Sequence, residues 1–300
     1  MMTTFSAIGR SLATAIKLLI IGASLLALAG CSALRLGYNN GPQLAWWTLD
    51  GYVDFSREHS PAVKQALERL FDWHRATQLP DYAALLASAQ PAVTEPTTPV
   101  ATCRWFARAR ELLAPTLDRA LVQAAEALPG LGEAQFKHLA GRYAKGLDEM
   151  RSKYLQGDPA VRLAAAVERA LDRAEQFYGT LDEPQRRVIA AGVAASPFDP
   201  QAWMAERQRR QRDVLQTLRR LAAERADADQ RLAALRTLAE RAERSADPAS
   251  RAYQQKLTDH NCALSAQLHN AATPAQRLKA RQRLRGWEED LRSLLPGPPG

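Results

Sequence analysis

The residues of this 300-residue chain that could carry chemistry are three cysteines, five histidines and 32 carboxylates. None of the common catalytic or phosphate-binding patterns is present: the chain has no G-x-S-x-G, no G-x-x-x-x-G-K-S/T, no H-E-x-x-H and no G-x-G-x-x-G. The histidines are scattered, and His74 falls on the apolar side of a predicted helix, where a core position is a simpler interpretation than a catalytic base. We therefore predict no catalytic residue and no cofactor.

The first thirty residues have the layout of a secretory signal. Two cations, Arg10 and Lys17, precede an uncharged run at 18–30, which is too short to span a bilayer. The sequence Leu28-Ala29-Gly30-Cys31 resembles the bacterial lipobox, and this resemblance implies cleavage after Gly30 and a diacylglycerol on the Cys31 thiol.

The residue after the lipobox cysteine bears on the location of the protein. Asp at this position is associated with retention at the inner membrane of many Gram-negative bacteria, whereas this chain has Ser32. We therefore predict a signal peptide at 1–30, a lipidated tether at 31–41 and a lipid anchor at the periplasmic face of the outer membrane.

The two other cysteines, Cys103 and Cys262, form an even pair in a compartment that favours oxidation. We predict a disulfide between them, and two buried free thiols are the alternative. A metal site would draw on Asp259, His260 and Cys262, but side chains two positions apart on a helix point in different directions. We predict no metal site.

The elements that position these residues are predicted to be helices. After residue 41 apolar side chains recur with a period near 3.6, and no sustained alternation with period 2 occurs. Several predicted helices begin with a capping side chain directly before a proline: Asp158-Pro159, Asp199-Pro200, Asp247-Pro248 and Thr273-Pro274. The fold class is all-α, either a multi-helix bundle or layered helical hairpins.

One helical domain is predicted over 42–295, followed by a disordered tail at 296–300. Three prolines between positions 91 and 99 favour a loop at 91–101, with the next helix beginning near Cys103.

The charge balance is mildly basic. The formal charge is +8, and it falls to +6 once Arg10 and Lys17 are removed with the signal peptide. Basic and aromatic residues do not interleave as they do in nucleic-acid-binding proteins, so we predict no nucleic-acid partner.

One local cluster of cations stands out in the second half of the chain. It consists of Arg207, Arg209, Arg210 and Arg212. This cluster could contact lipid phosphate or an acidic partner. The alternative is an exposed helix face balanced by Glu206 and Asp213.

Two resemblances extend this interpretation. The segment 31–40 (CSALRLGYNN), followed by Trp47 and Tyr52, resembles the N-terminal signature of a proteobacterial family of helical lipoproteins that carry a domain of unknown function. The resemblance implies an envelope lipoprotein without an assigned activity. The turn-forming residues at 38–41 would fix how the first helix leaves the membrane, and an aromatic side chain there could lie among the lipid headgroups.

The second and weaker resemblance is to periplasmic helical chaperones with L-T-x-x-Q repeats. The comparable segments are 131–135, 181–185 and 272–276, of which only the third contains Thr, and this chain is much longer than those chaperones. Capping boxes built on Asp182 and Thr273 explain the Gln positions equally well.

These observations predict a non-enzymatic binding or structural role in the cell envelope, with the membrane as one partner through the lipid and an envelope protein or unfolded client as another. An ATP-independent chaperone, with its client surface on the helices after Pro200, is one alternative. An envelope hydrolase is the other, and a concave pocket with two or more buried titratable groups would favour it.

Overall fold

The computed structural model describes residues 34–155, 157–245 and 247–296 of the chain. The predicted signal peptide, Gly30 and the predicted lipidation site Cys31 lie outside these residues. Within the described residues every regular element is a helix and no strand occurs, so the all-α prediction is confirmed.

A short helical segment at 34–39 precedes eleven longer helices in the described part of the chain. These are α1 (Gly41–Val53), α2 (Ser60–Thr77), α3 (Leu79–Ala92), α4 (Pro99–Ala127), α5 (Glu133–Tyr154), α6 (Pro159–Tyr178), α7 (Glu183–Ala194), α8 (Pro200–Ala223), α9 (Ala228–Glu243), α10 (Pro248–Ala271) and α11 (Pro274–Ser293). None of them combines the length and the apolar composition needed to cross a bilayer.

Side-chain caps set the starts of α6, α8, α10 and α11 at the predicted prolines. The carboxylate of Asp199, for example, accepts hydrogen bonds from the backbone N–H groups of Gln201 and Ala202, which have no partner inside the helix. Proline at the first helical position has no N–H group to satisfy. Local chemistry therefore decides where these helices begin.

The predicted loop at 91–101 is too long. Helix α3 continues through Pro91 to Ala92, and α4 begins at Pro99, where the Thr98 hydroxyl caps the N–H of Ala101. Pro91 is tolerated because it removes one hydrogen bond only one residue before the helix ends. Pro99 occupies a first helical position, where proline favours a helix, and the loop is confined to 93–98.

Three buried clusters hold the helices together. Leu171, Tyr178, Ile189 and Ala280 belong to the largest, which joins α6, α7 and α11. A second cluster centres on Trp46 between α1 and α2, and a third joins α5 to α8.

The disulfide between Cys103 and Cys262 is present, as predicted. It joins α4 to α10 with a Cα–Cα distance of 5.4 Å across a sequence separation of 159 residues. Cys262 is fully buried. The bond therefore fixes the two helices at a point where α10 also borders the cavity described next.

Candidate functional site

The predicted arginine cluster lies on α8, and its charge is partly neutralised within that helix. Arg209 and Arg210 both pair with the carboxylate of Glu206, at 2.7 and 2.8 Å. Hydrogen bonds, first from Arg209, lower the pKa of Glu206 below its usual value. The guanidinium carbon of Arg207 lies 6.0 Å from the centre of the Trp203 ring, and Arg212 is exposed. This arrangement matches the balanced-face interpretation more closely than a binding site for phosphate.

An open concave feature of ≈ 1250 Å³ lies among the helices. Helices α3, α4, α6, α7 and α10 form most of its wall, with contributions from the end of α5, from Pro200 at the start of α8 and from α11. This volume exceeds the range of about 300–1,000 Å³ that is typical of small-molecule sites. Its lining is mainly aliphatic and aromatic.

Small residues on α6 and α7 leave this space open. Ala166, Ala170 and Ala174 follow one another at intervals of four residues on the side of α6 that faces the cavity. On α7, a Cβ atom at Gly192 would collide with the Leu264 side chain of α10, so the absence of a side chain at this position lets Leu264 lie against the α7 backbone. The spacing of small residues therefore shapes the wall.

The charged residues of the lining are all cations. Lys153, Arg162, Arg169 and Arg173 line the cavity, and no Asp or Glu does so among the described residues. The three arginines recur at i, i+7 and i+11 along α6, which places them along one edge of its apolar stripe. Unlike Arg209 and Arg210 of α8, none of these four cations has a carboxylate of the described residues within ion-pair distance.

Two of the cations lie close to an aromatic ring. The Lys153 ammonium is 5.5 Å and the Arg169 guanidinium 5.8 Å from the centre of the Tyr154 ring. Arg162 donates to the backbone carbonyls of Leu155 and Gly157. These contacts hold positive charge beside the cavity without cancelling it.

Apolar side chains also reach solvent at the cavity. Phe106, Leu163 and Phe198 line it and are exposed. Exposed large apolar side chains around an apolar concavity mark a binding site more often than a plain surface.

The cavity wall includes one pair of buried titratable groups, Tyr178 and His269. The His269 Nε2 group donates to the backbone oxygen of Glu95 at 2.8 Å, so Nδ1 accepts from the Tyr178 hydroxyl at 2.9 Å. Burial raises the pKa of Tyr178 to about 12 and lowers the pKa of His269. The pair meets the numerical criterion set for a hydrolase, but both ring nitrogens already have partners and both groups are neutral at pH 7.

Two of the segments compared with chaperone repeats meet each other in the fold. The Gln185 amide donates to the Gln276 side-chain oxygen at 2.7 Å, and Gln276 donates back at 2.9 Å. Both residues also complete capping boxes with Asp182 and Thr273. These glutamines therefore join the starts of α7 and α11, and Gln185 is buried.

The cavity could not be located from the sequence because its lining comes from eight helices. The histidines show no shared site: His74 is half-buried and bonds to Tyr38, and His260 bonds to the Gly192 carbonyl. Among the described residues, His, Cys, Asp and Glu nowhere gather in a group of three that could hold a metal ion.

Comparison with known proteins gives one match. Residues 51–245 match the model of a Family of unknown function (DUF6279). This range contains α2 to α9, and therefore the cavity arginines of α6, but not the part of the wall formed by α10 and α11. No curated protein and no solved structure matches the chain.

Proposed function

The chain belongs to DUF6279, a family of unknown function, and from its own geometry we propose that it binds an amphiphile with an acyl chain and an anionic head. The observation that carries this proposal is the apolar cavity of ≈ 1250 Å³ whose only charged lining residues, among those described, are four cations. An acyl chain would gain about 0.8 kcal/mol for each CH₂ group buried there. The anionic head would lie beside Arg162, Arg169 and Arg173 of α6.

We further propose that the protein is an envelope lipoprotein with a non-enzymatic role. Cleavage after Gly30, acylation of Cys31 and an anchor at the periplasmic face of the outer membrane are part of this proposal. The disulfide supports an oxidising compartment outside the cytoplasm. Arg35, four positions after the predicted acylation site, pairs with Asp290, which lies about 9 Å along α11 from the cavity residue Leu284.

The alternatives have less support. A client surface on the helices after Pro200 would need a cluster of exposed apolar side chains, yet α8 and α9 expose no large hydrophobic residue and α11 exposes only Leu278 and Trp287. A hydrolase would need a proton acceptor or nucleophile free to reach its substrate, and the Tyr178–His269 pair has no such group.

The experiment is a ligand-displacement assay on the mature protein in detergent, with a fluorescent fatty acid as probe and palmitate as competitor. Ala166→Phe fills the cavity, whereas Ala164→Phe places the same side chain on an exposed position of the same helix outside the lining. We expect Ala166→Phe to weaken probe binding by about tenfold or more, equivalent to about 1.4 kcal/mol, and Ala164→Phe to bind as the native protein does. Equal binding by both variants would overturn the proposal.

A further inference from the structure

The outer face of the segment 34–39 and of α1 is apolar and exposed. Leu36, Leu44 and Trp47 have 66%, 45% and 62% of their surface accessible. Their positions, i, i+8 and i+11, share one side of a helix, and the path is interrupted only by a turn at Asn40. We call these three residues and the surface between them the N-terminal apolar face.

The opposite side of α1 is the packed side. Trp46 is buried against Val63 and Leu67 of α2, and the Gly41 backbone lies directly against the Phe71 ring. Exposure of the N-terminal apolar face is therefore not a consequence of a loosely attached helix. It is the second face of a helix whose first face is already buried.

This face also lacks charge. From Leu36 to Val53 the only charged residue is Asp50, which is half-buried and accepts a hydrogen bond from the Phe55 N–H at 3.0 Å. Charged residues make up 24% of the whole chain. A water-exposed helix surface of this length without a charge is typical of a surface that meets an apolar or interfacial partner.

The segment is fixed to the rest of the protein. The Tyr38 hydroxyl bonds to His74 at 2.8 Å, and Arg75 donates to the Asn39 side chain at 3.1 Å and to the Leu294 carbonyl at 3.4 Å. Tyr38 is half-buried under Arg75, so the expectation that an aromatic residue of the 38–41 turn lies among lipid headgroups does not fit Tyr38. Trp47, one helix further on, has the required exposure.

We propose that the N-terminal apolar face lies in the headgroup region of the bilayer, with Trp47 as its interfacial residue. The inference rests on the proposed acylation of Cys31. Leu34 follows Cys31 by three positions, a span of at most about 11 Å, so an acylated thiol would hold this face next to the membrane surface. Tryptophan favours that depth because its ring is apolar and its N–H group is polar.

The docked face would give the protein a fixed orientation. A lipid anchor alone leaves the attached protein free to rotate, whereas a helix face buried about 5–10 Å into the interface restricts it. Because Arg35 and Arg75 tie the segment to α11 and α2, the cavity would then take up a constant position relative to the bilayer.

The test uses the mature lipoprotein in phosphatidylethanolamine–phosphatidylglycerol vesicles that contain brominated lipids, which quench tryptophan fluorescence at short range. Trp47→Phe is compared with Trp287→Phe, which removes an exposed tryptophan of α11. We expect Trp47→Phe to remove at least half of the bromolipid quenching and Trp287→Phe to leave it unchanged. Quenching that is unchanged in Trp47→Phe overturns the inference.

A second pair of variants tests the same face without removing its fluorophore. Leu44→Glu places a charge on the face, and Leu117→Glu places one on an exposed position of α4. We expect the quenching to fall only in Leu44→Glu. A concentration-dependent cross-link between two copies through Trp47, with no quenching, would overturn the membrane assignment in favour of self-association.

The mass of the N-terminal peptide separates this inference from the proposed anchor. An unmodified Cys31 contradicts the anchor itself, whereas an acylated Cys31 with Trp47 shielded from bromolipid contradicts only the docking of the face. Neither result bears on ligand binding in the cavity, which the displacement assay measures separately.

Discussion

Lys153, Arg162, Arg169 and Arg173 line an apolar cavity without an ion-pair partner among the described residues. Some arginines elsewhere do pair with carboxylates, as Arg236 does with Asp118 and Arg241 with Asp213. A cation without such a partner keeps its charge available for a ligand, and the low dielectric of a neighbouring apolar wall strengthens that attraction. The proposed binding of an anionic head is therefore assigned to these residues.

We predict that the double variant Arg169→Gln/Arg173→Gln binds palmitate about tenfold more weakly, because each charge contact at a partly exposed site contributes about 0.7 kcal/mol, and the two together give about 1.4 kcal/mol. Palmityl alcohol, which has no charge, should bind both proteins equally. Competition against the fluorescent fatty acid measures both affinities. Arg220→Gln/Arg236→Gln, on α8 and α9, is the matched control, and equal loss in the control would contradict the assignment.

The buried histidines predict a pH dependence of stability. Burial lowers the pKa of His74 and of His269, so the folded protein holds both as neutral imidazoles. The unfolded chain takes up these protons as the pH falls through about 6.5, and the free energy of unfolding must then decrease. Carboxylates whose pKa is lowered, such as Glu206, add their own loss only at lower pH.

Urea unfolding at about pH 8 and about pH 5.5 measures this effect, and the midpoint should be lower at the acidic pH. His269→Gln removes one of the two groups, so its midpoint should depend less steeply on pH whatever its overall stability. A midpoint that stays constant or rises on acidification would show that these histidines are not neutral in the folded state.

At the scale of the elements, helix starts that depend on neighbouring residues can be predicted from the sequence. The starts of α6, α8, α10 and α11 follow from a capping side chain and a proline a few atoms apart, and all four were predictable. The sequence predicts a loop longer than the one at 93–98. Proline can break a helix or begin one, and here Pro91 lies near the end of α3 while Pro99 begins α4.

The cavity lies beyond such local causes. The alanines of α6 leave a void only because Leu264 of α10 and the side chains of α3 and α4 pass at a certain distance, which periodicity does not encode. The cationic edge, Arg162, Arg169 and Arg173, is regularly spaced and was visible in principle. Density alone points to the arginines of α8 instead, of which Arg209 and Arg210 pair with Glu206 in the fold.

The disulfide gives a prediction for the pairing of α4 with α10. In the chain-entropy model, closing a loop of about 160 residues stabilises the folded state by about 5 kcal/mol, and native bonds removed from other proteins cost about 2–5 kcal/mol. Cys103→Ser/Cys262→Ser should therefore lower the free energy of unfolding by about 2–5 kcal/mol, measured by urea titration. A loss below about 0.5 kcal/mol would contradict a constraint on the unfolded chain.

At the scale of the whole molecule, the predicted anchor, the N-terminal apolar face and the cavity occur along one path. The tether would leave the bilayer at Cys31, the face begins at Leu36, and Arg35 contacts α11, which also reaches the cavity at Leu284. A protein built this way could take up an amphiphile beside the membrane from which it comes.

The anchor is tested by Cys31→Ala. Because the thiol is the acceptor of the diacylglycerol, we expect this variant to lose labelling by radioactive palmitate and to keep its signal peptide, seen as a larger mass. Cys103→Ser/Cys262→Ser should be labelled as the native protein is. A Cys31→Ala product that is still processed, labelled and bound to membranes would show that the anchor lies elsewhere.

Ligand binding in the cavity is tested most directly by photo-crosslinking. The mature lipoprotein is irradiated with a palmitate analogue that carries a diazirine near the end of its chain, and the modified peptides are mapped by mass spectrometry. We expect adducts on α6 between Leu163 and Phe177 and on α10 between Leu257 and Leu268, lost in Ala166→Phe and retained in Ala164→Phe. Adducts confined to α1 or to the surfaces of α8 and α9, or unaffected by Ala166→Phe, would contradict binding in the cavity.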